Sequence, residues 1–124
     1  MSSVDDLLQE LFTQNQSVSA AVVIDMKGKV LSSMGGPWEV DGADVAKNLK
    51  SEKLPSLVIQ GIKFSTFQHD TIKFIGSNMK GKGHVVCANS GNKGWIVTYL
   101  TPEGDQKVGY RDVFNMAQKL KEVI

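Results

Sequence analysis

The most reactive side chains of this chain belong to two histidines and one cysteine. His69, His84 and Cys87 are the only residues of their types, and they do not provide the ligand spacings of a zinc site. His84 and Cys87 are three residues apart, so on an extended strand their side chains would point to opposite faces and could not form a nucleophilic dyad. The apolar run around Cys87 instead predicts a buried, inert thiol.

Two glycine-rich segments, residues 81–83 and 91–94, could be compared with phosphate-binding loops. Neither lies between a predicted strand and a predicted helix, which is the setting that a phosphate cradle requires. Both are predicted to be hairpin tips. We therefore expect a binding module rather than an enzyme, with no cofactor and no metal.

The composition predicts one globular domain over residues 1–124. Hydrophobic residues make up 41% of the chain and charged residues 22%, which suits a single core formed without metal or disulfide. A lone cysteine cannot form an internal disulfide, and no apolar run approaches the roughly 20 residues of a membrane span. The acidic start, with Asp5, Asp6 and Glu10, does not resemble a signal peptide. A cytoplasmic location is the expectation.

Charge is distributed unevenly along the chain. Residues 1–44 contain seven acids and two lysines, a balance of −5, whereas residues 45–124 contain six acids and twelve bases, a balance of +6. Such asymmetry can steer a protein toward an acidic partner. No basic stripe with interleaved aromatics is present, so nucleic acid is not an expected partner.

The elements that would position these side chains are organised around the C-terminal segment. A strand at residues 95–100 is followed by a turn with Pro102 and Gly104 and then by a helix. Three- and four-residue steps give that helix an apolar stripe, made of Val113, Met116, Ala117, Leu120 and Ile124. The opposite, solvated side carries Arg111, Asn115, Gln118 and Glu122. Tyr110 and Phe114 lie on the border, either as core edge or as contact surface.

The rest of the chain predicts a helix, a hairpin, a short helix and strands in series. Ser2 or Ser3 can cap the first helix, strands at residues 20–25 and 30–33 flank a turn at Gly28, and residues 41–49 form the short helix. Glycine- and Asx-marked turns then separate five closely spaced strands, which implies an antiparallel meander. The expected fold class is α+β, with a central antiparallel sheet of about five to seven strands.

Several strings in this order resemble the profilin family of small actin-monomer-binding proteins. The C-terminal turn and helix, residues 100–104 and 112–120, match best; residues 60–64 resemble the profilin Gly-x-Lys-aromatic strand, and residues 20–23 its first sheet strand. The resemblance covers nearly the whole chain and indicates a divergent member, from a lineage far from animals, archaeal or protist. It implies that both terminal helices lie on one face of the sheet and the short helix on the other.

The resemblance implies that the protein is a monomer that binds monomeric actin, covers the end of the monomer and sequesters it or regulates its assembly. The positions matching the family's actin contacts are Lys63, His69, Lys80, Lys82, His84, Gly104, Arg111, Phe114 and Asn115. The actin surface that profilins cover is acidic, which suits the +6 balance of residues 45–124. Basic patches of several profilins also bind phosphoinositides, for which this chain offers Lys63, Lys80, Lys82, Lys119 and Lys121; the alternative is that these lysines are simply solvated.

Many profilins bind proline-rich peptides on aromatic side chains between the terminal helices. The corresponding positions here are Val4, Leu7, Leu31, Lys119 and Ile124. Because none is aromatic, we expect little or no proline-rich binding, unless Trp38, Tyr99 or Tyr110 build a displaced site. The opening strands also resemble roadblock-type scaffold domains, so a homodimeric scaffold for small GTPases is the alternative function.

Overall fold

The computed structural model, which describes residues 3–36 and 38–124, contains one seven-stranded antiparallel sheet. Its strands are β1 (Val18–Asp25), β2 (Val30–Gly35), β3 (Ser56–Ile59), β4 (Ile62–His69), β5 (Lys73–Ser77), β6 (His84–Asn89) and β7 (Gly94–Leu100). The spatial order is β2-β1-β7-β6-β5-β4-β3. Strands β3 to β7 therefore form the predicted meander, and the β1–β2 hairpin joins it through β7.

Three helices accompany the sheet: α1 (Val4–Gln14), α2 (Gly42–Leu49) and α3 (Gln106–Leu120). Each follows a residue whose side chain accepts hydrogen bonds from amides of the first turn, namely Ser3, Asp41 and Asp105. Ser3 is thus the cap of α1, while Ser2 lies outside the described residues. α3 ends at Leu120, so Ile124 was wrongly placed in the helix; it packs on the core from the turn that follows.

The sheet separates two hydrophobic clusters. The cluster under α1 and α3 includes Leu8, Leu11, Val23, Ile96, Val113 and Leu120. The cluster under α2 includes Ile24, Val45, Leu49, Phe64, Phe74 and Trp95. The two terminal helices therefore share one face and the short helix covers the other, as the resemblance described above implies. None of the helices in the described part of the chain is long and apolar enough to cross a bilayer.

The β1–β2 turn packs against the start of α2. Gly28 has a φ of +92°, and a Cβ at this position would lie 2.3 Å from Cα of Ala43. Asp25 closes the turn by accepting hydrogen bonds from the amides of Lys27 and Lys29, both at 2.9 Å. The bond from Lys29 is the main reason that the pKa of Asp25 is lowered. A glycine is therefore required at position 28 both for conformation and for space.

Candidate partner-binding surface

α3 is fixed on β6 and β7 by its apolar side and by one buried hydrogen bond. The hydroxyl of Ser90, which is fully buried, donates to the carbonyl of Ala117 at 2.7 Å. On the side toward α1, Asp112 accepts a hydrogen bond from the Asn15 amide at 2.9 Å, and Lys119 pairs with Glu10. These contacts engage the side of α3 that faces the sheet and the side that faces α1. The outer side of α3 and the side toward β5 take no part in them.

The side of α3 that faces β5 carries the two aromatics whose position the sequence left open. Tyr110 and Phe114 are both half-buried, with ring centroids 5.8 Å apart. The ammonium of Lys73 lies 5.3 Å from the centroid of the Tyr110 ring. Burial, and after it the negative charge of Asp70, raises the pKa of Tyr110. The result is a partly open aromatic pair beside a basic side chain, an arrangement typical of contact surfaces.

The outer side of α3 is polar and open to solvent. Arg111 and Asn115 are exposed there, one turn of helix apart. Arg111 makes only a long contact, 3.4 Å, with the adjacent carboxylate of Asp112. Two of the predicted contact residues, Arg111 and Asn115, therefore remain available beside the third, Phe114.

Three of the basic residues predicted as contacts lie close together near the β5–β6 turn. Lys63, Lys80 and Lys82 line one surface pocket of about 360 Å³, together with Asn78 and Met79. The side chain of Asn78 shapes this turn, because its oxygen accepts from the amides of Lys80 and Lys82 and its amide donates to the carbonyl of Lys63. Phe64 belongs to the cluster under α2, so the neighbouring Lys63 points to the face that carries α3.

His84 lies near this turn but is held by internal hydrogen bonds. Its Nε2 lies 3.2 Å from the carbonyl oxygen of Pro102, which can only accept, so Nε2 carries the proton. Its Nδ1 lies 2.7 Å from Ser77 Oγ and 3.0 Å from the side-chain nitrogen of Gln106. His84 therefore connects β5, β6 and the first turn of α3, which makes it a positioning residue for this surface.

His69 does not lie with the other predicted contacts. Its ring bonds to the Leu49 carbonyl at 3.1 Å and packs on Phe74, on the face that carries α2. The physical reason is a β-bulge between Thr66 and Gln68, which reverses the alternation of β4. Without that bulge His69 would share the face of Lys63. His69 therefore lies on the face opposite Lys63, apart from the other positions predicted as contacts.

Gly104 lies in the turn before α3, where it is needed for a close approach. A Cβ at this position would come within 2.8 Å of the Ser17 Cβ. Its amide donates to the Thr101 carbonyl at 2.9 Å. The turn therefore places the start of α3 against the end of the α1–β1 connection.

Sequence reasoning missed several residues of this surface. Lys73 alternates with the buried Phe74, a pattern that marks it as facing α3. Met79, which is 83% exposed, lines the pocket that contains Lys63, Lys80 and Lys82. Phe67, in the bulge of β4, is 61% exposed. For Met79, the sequence signal was a large apolar residue in a turn, directly before Lys80. The bulge that leaves Phe67 outside the ladder could not be read from the residues.

The groove between the terminal helices differs from the predicted one at one position. Leu7 is buried, and Val4 and Ile124 pack on the same cluster. Leu31 is 41% exposed and does not join them, because it is the extra residue of a bulge opposite Val23 and Ile24. The strand instead contributes Ser32, which bonds to Asp5 of α1, and Met34, which packs on the cluster. Leu31, which the sequence analysis placed in this groove, therefore lies outside it.

Cys87 and His84 lie on opposite faces of β6, as the alternation of a strand predicts. Cys87 is fully buried in the cluster under α2, and this burial raises the pKa of its thiol well above the ordinary value. His84 is on the opposite face, so the two residues do not form a dyad. Within residues 3–36 and 38–124, no three histidine, cysteine or acidic side chains are grouped as metal ligands would be.

Fold and surface together define a small α+β protein whose C-terminal helix presents a half-buried aromatic pair and exposed polar side chains. No protein-family model matches the chain. The chain is 32% identical to Odin profilin of Odinarchaeota yellowstonii (strain LCB_4) over 107 residues, which cover 86% of this chain and 88% of that protein. It is 30% identical to Loki profilin-1 of Lokiarchaeum sp. (strain GC14_75), with 98% of this chain and 97% of the other covered.

A solved structure of LokiProfilin1 in complex with rabbit actin is also similar. Its TM-score is 0.85 at 27% identity, and the match covers 98% of this chain and 96% of that chain. The chain belongs to the profilin family. The roadblock-type alternative is not favoured.

Proposed function

We propose that this chain binds monomeric actin, one to one and as a monomer itself, and regulates actin assembly. The observation that carries the proposal is its similarity to a profilin whose solved complex contains rabbit actin. The surface that we assign to actin consists of the outer and β5-facing sides of α3 and the turn between β5 and β6. It includes Lys63, Lys73, Lys80, Lys82, Tyr110, Arg111, Phe114 and Asn115.

The chemistry of this surface supports the proposal. Tyr110 and Phe114 offer an apolar centre that is rigid because the two rings contact each other, and central aromatics dominate the energy of protein interfaces. Lys73 lies over the Tyr110 ring and Arg111 is exposed on the adjacent side of α3, and such positive charge favours an acidic partner and accelerates its association. His69 is left out of the assigned surface because its ring lies on the other face.

The proposed mechanism is steric and requires no catalytic chemistry. A rigid domain of this size covers the end of the actin monomer that another subunit would join. We infer that the protein works without catalysis, in the cytoplasm and with the actin cytoskeleton. Spontaneous nucleation is then suppressed because the covered monomer cannot form the first contacts.

Assembly of pyrene-labelled actin in the presence of increasing amounts of the protein tests this proposal. A longer lag phase that scales with concentration is expected, preferably with actin from a matched lineage. An unchanged lag, together with no complex in sedimentation equilibrium, would refute it. Sedimentation also separates a monomer from the homodimer that the roadblock alternative requires.

Substitution of the apolar centre localises the surface. Phe114→Ala should weaken actin binding about tenfold or more, as truncation of a central aromatic does. Phe12→Ala is the matched control, because Phe12 is also half-buried on the cluster under the terminal helices but belongs to α1. Both variants are checked for an intact melting transition. Equal effects of the two would place the actin surface elsewhere.

A second function, binding of phosphoinositides, is favoured by the pocket that Lys63, Lys80 and Lys82 share. Three ammonium groups around one pocket are suited to a phosphorylated headgroup. Lys119 and Lys121 do not extend this pocket, since Lys119 pairs with Glu10 and the backbone carbonyl of Lys121 accepts from Lys93 at the far end of α3. The proposed lipid site is therefore smaller than the five-lysine patch that the sequence suggests.

Cosedimentation with vesicles tests the lipid site. Vesicles of phosphatidylcholine with phosphatidylinositol 4,5-bisphosphate should retain the protein, and vesicles of phosphatidylcholine alone should not. Lys80→Glu combined with Lys82→Glu should abolish retention, whereas Lys47→Glu on α2 should not. Equal retention by both vesicle types, or equal effects of the two charge reversals, would reject the site.

A further inference from the structure

The sheet has two outer strands, β2 and β3, and β3 has the more regular edge. β2 is interrupted by the bulge at Leu31, and a bulge is one of the ways in which proteins protect an exposed edge from further pairing. β3 pairs with β4 without any shift of register. In the part of the chain that the structure describes, no strand pairs with the other side of β3. The β3 edge is therefore the better template for an added strand.

The hydrogen-bond pattern of β3 shows which of its backbone groups face outward. The amide of Thr66 donates to the carbonyl of Pro55 at 3.0 Å. Bonded and non-bonded pairs alternate along an antiparallel ladder, so the next residue of β3 that bonds to β4 is Leu57. The amides and carbonyls of Ser56 and Val58 therefore point away from β4. Within residues 3–36 and 38–124 they have no other hydrogen-bond partner.

Val58 gives this edge an exposed apolar side chain. It is 49% exposed and is paired with Lys63, so both side chains lie on the face that carries α3. The neighbours of Val58 in the strand, Leu57 and Ile59, are buried in the cluster under α2. Their burial fixes the strand, so the outward groups are held in an extended conformation before any partner binds.

Positive charge lies beside the same edge. Lys63 shares its surface pocket with Lys80 and Lys82, all three are exposed, and none of the described residues that line this pocket is acidic. β3 itself contains no acidic residue, so a second copy of this chain would bring no complementary charge to the edge. A strand with acidic side chains would bring it.

We propose that the β3 edge binds an extended acidic segment of another protein, which adds to the sheet as a further strand. The backbone of the segment pairs with Ser56 and Val58, and an apolar side chain of the segment packs on Val58. Its acidic side chains lie toward the pocket of Lys63, Lys80 and Lys82. The proposal does not depend on actin binding, because Ser56 and Val58 are outside the surface assigned to actin.

Amide hydrogen exchange, followed by nuclear magnetic resonance, provides the test. The probe is an N-acetylated, C-amidated hexapeptide of alternating glutamate and valine. Exchange at the outward amides of Ser56 and Val58 should slow by about tenfold when the free peptide is at ten times its Kd. Exchange at Leu57, whose amide already bonds to β4, should change less. No saturable binding, or binding that moves only resonances of the lysine side chains and leaves exchange at Ser56 and Val58 unchanged, would overturn the proposal.

The charge and the kind of occupant are tested separately. A hexapeptide of alternating lysine and valine has the same apolar content and should bind about threefold to tenfold more weakly, because it loses the attraction of the exposed lysines. Equal affinities of the two peptides would refute an acidic occupant. Exchange at Ser56 and Val58 that slows with protein concentration, without any peptide, would show that a second copy occupies the edge and would also overturn the proposal.

Variants of Val58 test the backbone pairing. Val58→Pro removes an outward amide that makes no bond to β4, a position at which an edge strand tolerates proline, and it should abolish binding of the glutamate–valine peptide. Val58→Ile keeps the amide and the apolar contact and should bind like the parent protein. If Val58→Pro does not fold, Lys63→Glu decides the question: it should weaken binding of the glutamate–valine peptide and strengthen that of the lysine–valine peptide. Unchanged affinities for both peptides in that variant would refute the site.

Discussion

Lys73 lies over the ring of Tyr110, with its ammonium 5.3 Å from the ring centroid. This contact joins β5 to the flank of α3. A lysine within about 6 Å of an aromatic centroid stabilises a protein by roughly 0.5–1 kcal/mol at a partly exposed site. The contact should therefore make a measurable contribution to the free energy that holds the aromatic side of α3 against the sheet.

We expect a double-mutant cycle of Lys73→Met and Tyr110→Leu to give a coupling free energy of about 0.5–1 kcal/mol, because each substitution removes the same cation–π contact. Urea unfolding of the four proteins measures it. The pair Lys47→Met and Tyr110→Leu is the control, since Lys47 is exposed on α2, on the other face of the sheet. A coupling no larger than that of the control would mean that the ammonium is fully solvated.

The raised pKa of Tyr110 predicts a loss of stability at alkaline pH. Because the folded protein holds this proton more tightly than the unfolded chain, the contribution of Tyr110 is present below pH 10, its ordinary pKa, and is lost as the pH rises above it. Asp70→Asn should lower the pKa of Tyr110 but leave the larger effect of burial, and so reduce this loss.

Absorbance titration of the phenolate, with Tyr110→Phe to assign the transition, checks the shift. The asparagine oxygen can still accept from the amides of Ile72 and Lys73, which Asp70 now bonds. An unchanged Tyr110 titration in Asp70→Asn would show that the carboxylate does not act on the phenol.

Gly28 and Gly61 allow conformation and space to be separated. Both have positive φ, +92° and +74°, but a Cβ at Gly28 would collide with α2 whereas nothing lies within 4 Å of a Cβ at Gly61. Gly61→Ala should cost about 1–2 kcal/mol, the usual penalty of a left-handed conformation. Gly28→Ala should cost clearly more, because α2 must also move. Equal unfolding free energies in urea would contradict this packing.

Proline-rich peptides are not expected to bind between the terminal helices. The groove is aliphatic at Val4, Leu7 and Ile124, and the Glu10–Lys119 ion pair bridges its two helices. Polyproline needs flat aromatic surfaces and donors for its carbonyls, and the side chains of Val4, Leu7 and Ile124 offer neither. Backbone amide shifts during titration with a proline decapeptide should stay unsaturated in the millimolar range.

Two outcomes of that titration would contradict the expectation in different ways. Saturable shifts of residues in α1 and in the C-terminal turn would mean that the aliphatic groove can bind the proline peptide without aromatic side chains. Saturable shifts around Trp38 and Tyr99, whose ring centroids are 6.0 Å apart on the other face, would reveal a displaced site.

Alternation and turn chemistry were enough to predict the order of the helices and strands, whereas the placement of the helices on the two faces came from the family resemblance. Glycine and Asx residues mark almost every turn, and the stripe from Val113 to Leu120 shows which side of α3 is buried. Two predicted site residues, Leu31 and His69, lie away from the side chains they were grouped with, and both are at or just beyond a β-bulge. A bulge reverses which side chains face the core, and no residue type in either strand announces it.

Contacts between distant residues were the other part that could not be predicted. The pairing of Lys119 with Glu10 depends on the distance between α1 and α3, and the sharing of one pocket by Lys63 and Lys80 depends on the β5–β6 turn. Sequence spacing shows which face of an element a residue occupies. It does not show which residue from another element lies opposite.

The position of β1 beside β7 has a consequence for how the chain reaches this structure. Strands β3 to β7 pair with their neighbours in sequence, so each hairpin closes a short loop, whereas Val22 must find Val97 across most of the chain. Closing so long a loop has a large entropic cost before any contact compensates it. We therefore expect the meander to form early and the β1–β7 pair to be the late, rate-limiting step, after which α1 and α3 can meet.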